Sequence, residues 1–166
     1  MNEIKTIDEL IKIIREKSSV DKIKLCDTLN LNERIGDDLR TPLTYAAAFG
    51  TIEMIDFLLK NGALINYTRA WSSPLHEASA WGRVDIIKYL IEHGAQVNLQ
   101  LDTGDTPLMC AAAHGEMDAV KLLLSYGANI YIQDDRGGNA IDVAGEKGEE
   151  EVENFLLSCP IPPSKI

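Results

Sequence analysis

The side chains best suited to ligate a metal or attack a substrate are Cys26, Cys110, Cys159, His76, His93 and His114. A structural zinc site draws such groups in close pairs, and a zinc hydrolase sets two histidines one helical turn apart beside a glutamate. Neither spacing occurs, and neither a glycine-rich phosphate loop nor G-x-S-x-G is present. The expectation is a chain without catalytic centre, metal or cofactor. One enzymatic alternative gathers Asp21, Cys26 and Asp27 in the N-terminal segment, where a short helical pair would enclose no pocket. The odd number of cysteines, far apart in sequence, makes no disulfide framework. Asn66-Tyr67-Thr68 matches a glycosylation sequon, but Asn2, Glu3, Lys5, Asp8 and Glu9 interrupt any hydrophobic leader, so a cytoplasmic chain is expected.

What remains is the chemistry of recognition. The 166 residues carry 26 Asp+Glu against 16 Lys+Arg, a net charge of -10. That sign opposes nucleic-acid phosphates and anionic lipid, and no apolar run is long enough to span a bilayer. A protein partner with a basic surface is expected, with no role for nucleic acid or membrane.

The elements that must position these groups recur along the chain. Thr41-Pro42-Leu43-Thr44-Tyr45-Ala46 returns as Ser73-Pro74-Leu75-His76-Glu77-Ala78, as Thr106-Pro107-Leu108-Met109-Cys110-Ala111 and, more weakly, as Asn139-Ala140-Ile141-Asp142-Val143-Ala144, in steps of 32, 33 and 33 residues. Each copy predicts a first helix, opened by a side-chain cap and a proline whose missing N–H costs nothing there. Gly50, Gly82, Gly115 and Gly148 end these helices. A second helix follows, with an apolar stripe of Ile52, Ile55, Leu58 and Leu59, then Val84, Ile87, Leu90 and Ile91, then Met117, Val120, Leu123 and Leu124. Gly62, Gly94 and Gly127, each followed by alanine, close it.

This pattern resembles the ankyrin repeat, and the resemblance implies an all-α repeat solenoid: a helix-turn-helix stack with β-turn fingers. The expected organisation is one domain over 1–166, with a degenerate capping repeat at 6–36, full repeats at 37–68, 69–101 and 102–134, a C-terminal capping repeat at 135–159 and a tail at 160–166. In the cap, Thr6-Ile7-Asp8-Glu9 predicts a capping box and a first helix, and Val20 to Leu29 a second. His76 alone keeps the family's motif histidine; Thr44, Met109 and Asp142 stand in the other copies.

The resemblance also implies a concave binding face made of fingers and first helices. On it fall Phe49, Trp81 and His114 as an aromatic ladder, the motif residues Tyr45, Glu77 and Cys110, and the finger residues Asp37, Asp38, Leu39, Arg40, Arg69, Trp71, Ser72, Asp102, Thr103, Asp105, Asp135 and Arg136. The rings serve either to bind a partner or to pack on a neighbouring finger. Leu39 and Trp71, which replace turn glycines, either face the partner or fold back. Nothing appended to the array is visible, which favours action by occupying a partner's surface, and closed caps at both ends favour a monomer before the partner arrives. Size and repeat number are similar to small ankyrin inhibitors of cyclin-dependent kinases, and charge and length to acidic immunity proteins that neutralise basic toxins. The alternative is an adaptor bridging two proteins.

Overall fold

The computed structural model describes residues 2–20, 23–33, 40–68 and 72–160. Each proline-led motif opens a helix: α2 (Pro42–Phe49), α4 (Pro74–Ala80) and α6 (Pro107–Ala113). The hydroxyls of Thr41, Ser73 and Thr106 accept from the backbone N–H groups of Thr44, His76 and Met109. These bonds satisfy donors that the first helical turn cannot. In the fourth copy, α8 (Ala140–Lys147) replaces proline and hydroxyl with a capping box between Asn139 and Asp142.

Outer helices α3 (Ile52–Lys60), α5 (Val84–Glu92), α7 (Met117–Ser125) and α9 (Glu150–Ser158) follow, each packed on the inner helix that precedes it. The inner helices pack in series, α2 on α4 on α6 on α8, and the outer helices form a second layer. Ala46, Ala47, Ala78, Ala111, Ala112 and Ala144 are buried along the inner row, where short side chains let backbones approach. The outer helices bury Met54, Ile55 and Leu58, then Ile86, Ile87 and Leu90, then Ala119, Val120 and Leu123. The buried arc therefore sits to one side of the stripe expected from the sequence. Ile52, Leu59, Ile91, Met117 and Leu124 are only half-buried and Val84 is exposed, because each outer helix also packs on the outer helices of adjacent repeats.

Asparagines tie successive units together. Asn66 donates from Nδ2 to the Gly94 carbonyl (3.0 Å) and accepts at Oδ1 from the Gln96 N–H (2.9 Å). Asn32 and Asn98 make the same pair of bonds to Gly62 and Leu64, and to Gly127 and Asn129. The sequon asparagine is thus a clasp in the stack. Gly94 beneath it adopts φ +97°, a conformation that side chains rarely take.

The N-terminal cap departs from expectation. Helix α1 (Ile7–Arg15) forms with its capping box between Thr6 and Glu9, buries Leu10, Ile11 and Ile14, and packs on α2 as an inner helix. Among the described residues of Val20 to Leu29 the expected second helix is absent. Ile23–Leu25 is instead strand β2, paired in parallel with β1 (Asn2–Ile4), and the Cys26 N–H donates to the Ile4 carbonyl at 2.9 Å. The alternation Ile23, Lys24, Leu25 suits a strand, and β1 needs backbone partners that a helix could not supply.

Candidate functional site

The last turns of the inner helices carry a continuous aromatic cluster. Tyr45 and Phe49, one turn apart on α2, have ring centroids 5.1 Å apart. Phe49 meets Trp81, at the end of α4, edge to face at 5.1 Å and 62°. Arg15, at the end of α1, donates from Nε to the Tyr45 hydroxyl at 2.7 Å. Four side chains from three successive units therefore brace one another, a geometry that favours aromatic pairs beyond simple burial. Tyr45 and Phe49 are half-buried, whereas Trp81 is 52% exposed.

Beneath this cluster the ion pair Arg40–Glu77 links the entry of one repeat to the inner helix of the next, with Nε 3.1 Å from Oε1. Glu77 is buried and held by Arg40, so the structure gives its carboxylate a cross-repeat role that removes it from the accessible surface. Cys110 is half-buried, and burial pushes its thiol up to about 12, which keeps it a neutral lining group.

The ladder expected from the sequence stops at Trp81. His114 occupies the equivalent slot on α6 but turns back on its own helix, with Nδ1 2.9 Å from the Cys110 carbonyl oxygen. It instead borders a cleft of about 470 Å³ between α6 and α8. Met109, Cys110, Ala113 and Val143 form its apolar lining; Asp105, Asp134, Asp135 and Glu146 bring carboxylates to it, with Arg136 and Lys147 beside them. Fingers and inner helices thus share one face here.

The two fingers that frame this cleft are joined. The Asp135 N–H donates to the Thr103 carbonyl at 3.0 Å, and the Thr103 hydroxyl donates to Asp105 Oδ2 at 2.6 Å. Gly104 makes the joint possible: its φ is +82°, and a Cβ there would stand 2.7 Å from Asp134 Cα. Behind the fingers, His76 anchors the third to α4, its Nε2 donating to the Asp105 carbonyl at 3.0 Å. Its other nitrogen accepts from Ser73 Oγ at 2.7 Å, and burial pulls the imidazole down to about 4. Thr44, Met109 and Asp142 in the same motif slot make only local capping bonds.

Among the remaining expected site residues, Asp102, Thr103, Asp135 and Arg136 are exposed, and Ser72 and Arg40 are half-buried. Asp37, Asp38, Leu39, Arg69 and Trp71 lie outside the described residues, as do tail residues 161–166. Sequence reasoning missed Arg15, whose position follows only once α1 is stacked as an inner helix. It also left out Asp134, although Glu146 and Lys147 already align with the aromatic slots by repeat spacing. Among the described residues, no three His, Cys, Asp or Glu side chains converge as a metal would require, and no helix is long and apolar enough to cross a membrane.

A family model described as ankyrin repeats in three copies matches residues 5–101 and 75–165. No curated protein matches the chain.

Proposed function

The chain belongs to the ankyrin repeat family, a non-catalytic protein-interaction module, and on that premise we propose that its concave face captures one protein partner around Trp81. The observation that carries this reading is the exposure of that ring. Half of a tryptophan is left in water while Phe49, itself in tilted contact with Tyr45, packs edge to face against the ring. Tryptophan is the residue type most enriched among binding hot spots, and a pre-ordered ring gives up little freedom on contact.

The finer reading is an inhibitor or immunity protein that blocks a basic enzyme or toxin. Its support is the net charge of -10 together with the exposed finger acids Asp102 and Asp135, which speed the approach of a cationic surface. Exposed Glu150 and Glu151 on the last helix leave that end charged, which supports a monomer until the partner arrives.

The test is affinity capture from the native host lysate with wild-type and Trp81→Ala baits, followed by calorimetric titration of the captured protein. A single basic partner whose Kd weakens at least about 30-fold in the variant is the expected result, equivalent to about 2 kcal/mol. Unchanged affinity would remove Trp81 from the interface, and simultaneous capture of two proteins in one complex would replace the inhibitor reading with an adaptor.

A further inference from the structure

We propose that the cleft between α6 and α8 receives a lysine or arginine side chain of the partner, beyond the Trp81 contact along the stack. This rests on the reading that the concave face binds protein, and it assigns that partner's chemistry at a second point.

The cleft has two chemically distinct zones. Met109 is buried, while Cys110, Ala113 and Val143 are half-buried, so the deep lining is apolar. Asp135 and Glu146 are exposed at its mouth, and neither carboxylate is paired among the described residues. Asp105 and Asp134 are half-buried behind them and are already used in part: Asp105 accepts from the Thr103 hydroxyl, and Asp134 from the N–H groups of Arg136 and Gly138.

Lysine and arginine divide in the same way, into an apolar stem and a charged head, and they favour sites where the stem is covered and the head stays near water. The volume of about 470 Å³ falls within the range of side-chain and ligand pockets. Arg136 and Lys147 also stand at the cleft, but its carboxylates outnumber them two to one, so an incoming anion is disfavoured and a cation favoured. The neutral Cys110 thiol leaves the floor uncharged.

Position sets the spacing. Trp81 ends α4, and the cleft lies between the next two inner helices. Neighbouring helix axes are roughly 8–10 Å apart, so the partner presents an apolar group and a cationic side chain about one to two such steps apart.

A small probe tests the cleft without the partner. Nα-acetyl-arginine methylamide is titrated to millimolar concentration into the full ¹⁵N-labelled chain, with the norleucine analogue as an uncharged counterpart. The expected result is amide shifts confined to residues around Cys110, His114, Val143 and Glu146, weakened by salt and weakened at least tenfold by Asp135→Asn with Glu146→Gln. Both substituted side chains are exposed, and an unchanged thermal melt confirms that the variant is folded. Removal of distant acids on the outer helices, Asp85→Asn with Asp118→Asn, leaves the response intact. Absent or diffuse shifts, an equal response to norleucine, or survival in the double variant would each overturn the proposal. The probe is too small to reach Trp81, so its failure leaves the capture experiment standing, and failure of capture leaves the cleft result standing.

Discussion

Lowering the pH from 7 to 4 should destabilise this stack through His76, and the effect can be worked from the structure. The imidazole is buried with Nε2 donating to the Asp105 carbonyl, which can only accept, so Nδ1 must accept from Ser73 Oγ. Both bonds are made by the neutral ring. Desolvation holds the folded-state value near 4, against 6.5 for the free side chain. Above pH 6.5 both folded and unfolded chains keep the ring neutral, and it contributes no pH dependence. Between 6.5 and about 4 the unfolded chain takes up a proton that the folded chain refuses, so stability falls as pH falls; below about 4 the loss levels off. At about 1.4 kcal/mol per pH unit, the loss reaches about 3 kcal/mol. The assay is urea unfolding at pH 7, 6, 5 and 4 for the native chain and for His76→Thr, which copies the residue found at Thr44. The carboxylates titrate in both proteins, so the difference between the curves isolates the histidine. That difference should shrink by about 3 kcal/mol on acidification. Parallel curves, or an imidazole resonance that titrates near 6.5 in the folded chain, would refute the reasoning.

Leu90 is fully buried in the outer-helix layer, so Leu90→Ala should cost about 2–5 kcal/mol in chemical denaturation. Asn98→Ala removes bonds of 3.1 and 2.8 Å to the next unit and should cost about 1 kcal/mol, with faster exchange of the Asn129 amide. Gly104→Ala forces a side chain into a left-handed turn against Asp134 and should cost about 1–2 kcal/mol, with loss of protection at the Asp135 amide. Trp81→Ala forfeits one edge-to-face contact and should lower stability by less than about 1.5 kcal/mol, which separates its role in binding from folding.

Much of this protein is written locally. Thr41, Ser73 and Thr106 before their prolines mark helix starts because a hydroxyl beside free N–H groups acts within one turn, and the glycine before each alanine marks where a helix can close. Repetition then extends the local rule, since residues one period apart meet equivalent neighbours. That logic fails where pairing is not periodic. Val20 and Ile23 stand 32 positions before Ile52 and Ile55, a register that suits a helix, but Ile23–Leu25 pairs with Asn2–Ile4, some twenty residues away and outside the repeat.

The functional face divides in the same manner. The sequence by itself determined which slots hold Phe49, Trp81 and His114, which fingers carry acid, and that the units stack, because those facts depend on spacing and capping alone. Only the tertiary structure decided that Phe49 braces Trp81, that His114 turns back to Cys110, that Arg40 holds Glu77 below the surface, and that Asp135 and Glu146 open on an apolar cleft. Apart from the His114 bond, which lies within its own helix, these outcomes are set by the side chain that the adjacent repeat presents, and a repeat pattern records the position of that neighbour but not how two unlike side chains share the space between them.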